Sequence, residues 1–229
     1  PPAPSQPHLY LDLEGINLSR HGTISLLTLY VPPLRHAYLI DVHTLGALAF
    51  STPCSLTGTT LGTLLASPTP TKVLFDLRND SDALFARYGV RLRGVEDVQL
   101  MENAGRPTAA QRRTVNGLER CIEKDLGGPG RLTAAEQRAW REVKEAGKRL
   151  FAPERGGRYE VFEERPVRAE VERYCVNDVV LLPMLRELYL GRLSAQWKAR
   201  VAEETEKRVR ESQSAGYKPH GREKALGPW

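Results

Sequence analysis

Residues 9–14, LYLDLE, alternate between leucine and polar or aromatic side chains, a pattern that a half-buried β-strand satisfies and a helix does not. Leu9, Leu11 and Leu13 then share one face, and Tyr10, Asp12 and Glu14 share the other. Two carboxylates two residues apart on one strand face stand close enough to hold a hard cation together. Asp-x-Glu on a strand is common by chance. Its meaning depends on which other acidic residues the fold brings to the same face.

The elements around that strand follow from periodicity and turn signals. Thr23–Val31 and His36–Val42 read as two further strands, with Pro32 and Pro33 turning the chain between them. Lys72–Phe75 reads as a fourth strand and Val95–Leu100 as a fifth. Leu61–Ala66 is a short helix closed by Ser67-Pro68, and Asp80–Tyr88 a helix closed by Gly89. Helical periodicity then dominates, over Ala109–Lys124, Thr133–Arg149, Ala169–Leu190 and Ser194–Ser212. Thr133 and Glu136 predict a capping box. Strands first, then strand–helix alternation, then helices describe an α/β fold, a mixed five-stranded sheet flanked by helices. Gln213–Trp229 has no periodicity and is expected to wrap the surface or stay irregular.

Composition excludes several classes. No apolar run approaches the roughly 20 residues that span a bilayer, and Pro1–Pro7 lacks the layout of a signal peptide. Cys54, Cys121 and Cys175 are odd in number and widely spaced. That argues against a disulfide framework or a Cys-rich zinc site and favours an intracellular compartment, cytoplasm or nucleus. No histidine lies between His43 and His220, so the centre of the chain has no imidazole for acid–base work. The net charge of +5 comes mostly from residues 111–155 and 191–229, an arrangement that suits a polyanion held over an acidic site. Solvated helix faces account for such an excess equally well.

Two more segments join the first strand. VLFDLRNDSDALFARYG places Asp80 at the opening of a helix, and YCVNDVVLLP sets Tyr174 and Asp178 four residues apart on one helical face. Phosphodiester hydrolysis needs an activated water and neutralised charge at phosphorus and the leaving oxygen, which two metal ions in a cage of carboxylates supply. Asp12, Glu14 and Asp178 offer three ligands from a strand and a helix, Asp80 a more distant fourth, and Tyr174 a group to orient the water. Each piece alone is weak; order and separation give them weight.

Together the segments resemble the three motifs of the DEDD 3′–5′ exonuclease superfamily, in the tyrosine (DEDDy) branch typified by ribonuclease D-like domains. LDLEG resembles the first motif, FDLRNDSDALFARYGV the second and YCVNDVVLLPML the third. VEDVQL, with Asp97 and Gln99, is similar to the family's Asp-Thr-Gln strand. The histidine branch carries its histidine where this chain has Arg173. The resemblance implies a ribonuclease-H-like fold and two Mg²⁺ or Mn²⁺ ions. Asp12, Glu14 and Asp178 would hold the first ion, Asp12 would bridge to the second, Asp80 would support that second ion, and Tyr174 would contact the attacking water. Asp80 is the second-motif residue in the register that places Leu84 four residues on; Asp82 is the alternative register. Gly15 stands where many relatives have threonine, and Arg20 and His21 in the following loop are within reach of a phosphate or belong to a structural turn.

The expected division is an N-terminal end over 1–8, an exonuclease domain over 9–190, and a C-terminal helix and tail over 191–229. The expected activity is removal of nucleoside monophosphates from 3′ ends of single-stranded nucleic acid, RNA ahead of DNA, with no membrane association. The alternative is a catalytically inactive nucleic-acid-binding or scaffold module on the same fold. The basic helices around Trp140 are candidates to track a strand or simply to cover the sheet, and Trp197–Arg210 is a candidate protein-binding helix.

Overall fold

The computed structural model describes residues 8–229; nearly all of the expected N-terminal end, residues 1–7, lies outside them. Five strands form one sheet in the order β3-β2-β1-β4-β5: β1 (Leu9–Glu14), β2 (Leu26–Val31), β3 (His36–Asp41), β4 (Lys72–Leu74) and β5 (Val95–Asp97). β1 to β3 form an antiparallel meander, while β4 and β5 run parallel to β1. This is the mixed five-stranded sheet flanked by helices that the sequence leads one to expect.

The helices are α1 (Val42–Leu45), α2 (Leu48–Ser51), α3 (Leu61–Ala66), α4 (Arg78–Tyr88), α5 (Val98–Ala104) and α6 (Ala109–Arg112). They continue with α7 (Leu118–Asp125), α8 (Ala134–Phe151), α9 (Ala169–Val179), α10 (Leu182–Arg192) and α11 (Ala195–Ser212). The alternation in β1 divides the core as the sequence predicts. Leu9, Leu11 and Leu13 pack with Leu27, Leu74, Leu77 and Leu84 on one face, and Tyr10 packs with Val73 and the α5, α7 and α10 side chains on the other.

Among the boundaries that differ from the sequence reading, three have a clear local reason. The expected strand Val95–Leu100 stops at Asp97, whose carboxylate accepts the Gln99 N–H at 3.0 Å and caps α5; a capped helix takes the rest. The single helix expected over Ala169–Leu190 is two. Pro183 sits in the first turn of α10, where a missing N–H costs nothing, whereas inside a continuous helix it would break the ladder. The helix expected over Ala109–Lys124 is interrupted between α6 and α7, with Gly117 as the N-cap of α7. The Thr133–Glu136 capping box forms as expected.

The basic helices bury one face and keep most of their cations exposed, Arg138, Arg141 and Arg149 on α8 and Arg200, Lys207 and Arg210 on α11. Trp140 is buried and donates its indole N–H to the Asn177 carbonyl at 3.1 Å, so it covers the sheet and offers no stacking platform. The apolar face of α11 is likewise spent within the chain: Val201, Thr205, Arg208, Val209 and Ser212 are buried. Arg208 donates to Asp97 at 2.7 Å and to the Gln99 side-chain oxygen at 3.0 Å. The residues after α11 lie along the surface, tied by the Gly227 N–H to the Arg113 carbonyl at 2.9 Å.

Asp97 is fully buried, so removing its guanidinium partner leaves an uncompensated charge inside the fold. Arg208→Ala is expected to lower the unfolding free energy by about 3–5 kcal/mol, measured by urea denaturation at neutral pH. A loss below about 1 kcal/mol would show that the clamp between α11 and β5 is dispensable.

Candidate functional site

β1 lies where the sheet changes from antiparallel to parallel, the position at which open α/β sheets collect their sites beyond the carboxyl ends of the strands. Within β1 only Leu9 and Tyr10 pair with β4, so Asp12 and Glu14 run past the end of β4 beside the connection into α4. From the other side, α9 packs across β1 and β2 and presents Tyr174 and Asp178. Carboxylate oxygens of Asp12, Glu14 and Asp178 all fall within 4.8 Å of one another. Asp80, in the first turn of α4 and buried, is close enough for its charge to act on Asp12 and Glu14, but lies outside the tight group.

The cluster is electrostatically costly. Burial, then the Asp178 carboxylate, push the Asp12 carboxyl up to about 7, against the pull of the Lys144 ammonium. Burial, then Asp12, raise Glu14 well above the usual carboxylate range. Burial, Asp12 and Asp76 do the same to Asp80. Burial also raises Asp178, although Lys144 opposes it. The Tyr174 hydroxyl is held neutral by burial and by the surrounding carboxylates.

The loop after β1 and the start of α4 decide which aspartates remain free. Asp76, Asp80 and Asp82 are close in sequence, yet their fates differ. Asp82 is fully buried and accepts from the Arg20 Nε at 2.7 Å and from the Arg20 backbone N–H at 2.8 Å. Asp76 accepts from the Arg78 Nε at 2.5 Å. Asp80 has no side-chain hydrogen bond among the described residues and faces Asp12. Of the three, Asp80 is thus the carboxylate left without an arginine partner. Arg20 also donates to the carbonyls of Ser212, Ser214 and Ala215, so its charge is spent within the fold and is not on offer to a phosphate. At Gly15 a Cβ would overlap the Thr23 carbonyl, which rules out threonine in this backbone path.

Two residues that motif reading passes over complete the site. Lys144, on α8 and buried, donates from Nζ to the Tyr174 hydroxyl at 2.9 Å and to Asp178 Oδ2 at 2.5 Å. Gly147, one turn further along α8, lies against the Tyr174 ring so closely that a Cβ would overlap it. Phe151 backs the same ring edge-on at 5.0 Å. Arg173 is exposed beside Glu170. Only the helical spacing of Lys144 and Gly147 could have signalled them, and a basic helix offers many such pairs.

A divalent ion fits these residues. Three hard oxygen donors converge, and Asp178 Oδ1 is buried without a hydrogen-bond partner, the state of a ligand atom whose partner is a cation.

The comparisons with known proteins agree with the geometry. A sequence family described as 3′-5′ exonuclease matches residues 3–188. No protein of curated function has a significantly similar sequence. Among solved structures, Trypanosoma brucei RNase D in complex with RNA U12 is similar, with a TM-score of 0.70 and 21% identity, over 91% of this chain and 64% of that one. Escherichia coli RNase D gives a TM-score of 0.58 and 20% identity, over 92% of this chain and 46% of that one. Brucella melitensis NrnC with bound Mg2+ gives a TM-score of 0.59 and 16% identity, over 91% and 84% of the two chains. The chain therefore spans less than two thirds of either RNase D, and at these identities the likeness is one of fold.

The raised carboxyls set a pH dependence for the metal-stripped protein. Asp12 titrates at about 7 when folded and has an ordinary value of 3.8. Between those values the folded state keeps a proton that the unfolded chain releases, so stability falls as pH rises through that window. In EDTA the melting temperature is expected to decline from pH 5 to 8, and Asp12→Asn to flatten the decline and melt above the parent at pH 8. Parallel melting curves for the two proteins would refute the electrostatic reading.

Proposed function

The chain belongs to the 3′–5′ exonuclease family, and from that premise we propose that it shortens nucleic acid from its 3′ end by metal-dependent hydrolysis in the tyrosine-type manner. The observation that carries the reading is the convergence of Asp12, Glu14 and Asp178, with one oxygen of Asp178 left unpartnered. Asp12, Glu14 and Asp178 would hold one Mg²⁺ or Mn²⁺ ion; Asp12 and Asp80 would serve a second. Two such ions supply an activated water and neutralise charge on phosphorus and the leaving oxygen.

The remaining work belongs to the chain itself. With its hydroxyl neutral, Tyr174 can hold a water by hydrogen bonding but does not act as an anionic base. Its ring is fixed by Phe151 and by the absence of a side chain at Gly147, so the hydroxyl has one place to be. Such fixed placement is worth several orders of magnitude in rate when the reacting atoms are aligned.

Single-stranded RNA is the favoured substrate. The support is that the Trypanosoma brucei RNase D was solved with RNA bound; DNA ends are the competing substrate. Among the described residues no helix is long and apolar enough to cross a membrane. With α11 packed on its own domain, a protein partner would have to dock on the exposed side of that helix.

Digestion of 5′-labelled single-stranded RNA and its DNA counterpart in Mn²⁺ tests the proposal. The expected result is a ladder that shortens from the 3′ end, faster on RNA, and disappears with EDTA. Intact substrate that nonetheless binds would favour a catalytically inactive binding module.

The same assay ranks the residues. Asp12→Ala and Asp178→Asn are expected to lower turnover by about three orders of magnitude or more, with unfolding still cooperative. Tyr174→Phe should cost about a hundredfold or less. Near-normal turnover in either aspartate variant would exclude this site as the catalytic centre.

A further inference from the structure

Lys144 is a cation inside a site made to hold cations. Among the described residues no other positive side chain hydrogen-bonds Asp12, Glu14, Asp80 or Asp178. A lysine is rarely this buried without a partner of opposite charge, and here it is 7% exposed with Asp178 as that partner. Its placement is built rather than incidental. Thr133 caps α8, the missing Cβ of Gly147 lets the helix settle against Tyr174, and Lys144 lies three residues earlier on the same helical face. The ammonium consequently sits 4.3 Å from the centre of the Tyr174 ring while it bonds the Tyr174 hydroxyl and Asp178 Oδ2.

The two oxygens of Asp178 are thereby divided. Oδ2 accepts from Lys144, and Oδ1 is buried with no partner. One oxygen serves the protein's own cation and one remains for an added ion. A divalent ion on Oδ1 would share a carboxylate with an ammonium, and the two positive charges repel at short range beside the buried Asp178 and Lys144.

We propose that Lys144 is a resident counter-cation of the carboxylate cage. It holds Asp178 and Tyr174 in position before a divalent ion arrives, leaves Asp178 a single oxygen to offer, and weakens the grip of the cage on that ion. Lys144 is a positioning residue, acting through Asp178 and Tyr174. The consequence is a site that stays assembled without metal and exchanges its ions readily. The proposal rests on the metal-dependent reading above but concerns ion affinity, a quantity measured without substrate.

The test compares the parent protein, Lys144→Met and Lys144→Arg by calorimetric titration with Mn²⁺ at fixed pH and by melting in EDTA and in Mn²⁺. Lys144→Met keeps the length and loses the charge. It is expected to melt lower in EDTA, to bind Mn²⁺ at least about tenfold more tightly, and to gain more from Mn²⁺ on melting than the parent does. Lys144→Arg, which keeps the charge, is expected to stay near parental affinity. If Lys144→Met folds only in Mn²⁺, the ion has replaced the ammonium and the proposal stands. Unchanged or weaker Mn²⁺ binding by folded Lys144→Met overturns it, as does a variant that folds in neither condition or a parent that binds no Mn²⁺. A parent that binds Mn²⁺ yet leaves both nucleic acids whole refutes the exonuclease reading and leaves the assignment of Lys144 intact.

Discussion

Mutual repulsion among the carboxylates gathered at the end of β1 is the constraint around which this molecule is organised. Asp12, Glu14 and Asp178 are brought within 4.8 Å of one another, with Asp80 close behind, where solvent screens them poorly. Nothing in local backbone preference favours that gathering. It persists because strands and helices fixed by apolar packing on both faces of the sheet leave the side chains nowhere else to go. The stability of the cores is spent on holding like charges together, a common arrangement where a site must be ready before its ligand arrives.

The surrounding arginines sort the acidic residues into engaged and available. Arg20 takes Asp82, Arg78 takes Asp76, and Arg208 takes Asp97. These pairs differ from surface salt bridges in that Asp82 and Asp97 are fully buried, so each pair specifies one arrangement and penalises others. What the arginines leave unpaired is the set that faces the end of β1, where Lys144 engages one oxygen of Asp178. Three arginines from three parts of the chain thus decide which carboxylates a cation can use, although no arginine enters the cation site.

The sequence made the sheet and the main site legible because both are written in short-range code. Alternation in LYLDLE fixes which face carries Asp12 and Glu14, and helical spacing puts Tyr174 over Asp178. The fifth strand was read too long because the capping role of Asp97 competes with the β-branched residues around it. The break before α10 is not legible from Pro183 alone, since a proline in the first turn of a helix and one inside it look alike without the tertiary path. Lys144, Gly147 and Arg20 were illegible in a stronger sense. Their meaning lies in what faces them across 27 to 195 residues of chain, and no periodicity encodes that.

Arg20 ties the loop after β1 to carbonyls of Ser212, Ser214 and Ala215, while Arg208 reaches back to Asp97. These contacts join the earliest described strand to segments that a ribosome makes after every motif residue. During synthesis the motif-bearing strands and helices can all have emerged while Asp82 and Asp97 still lack their guanidinium or its anchors. The nascent domain therefore passes through a stage in which every catalytic candidate is present but its scaffold is not locked. Asp97 meets its guanidinium only once residue 208 has left the exit tunnel, so the scaffold around the carboxylate cluster locks after the cluster itself has been made.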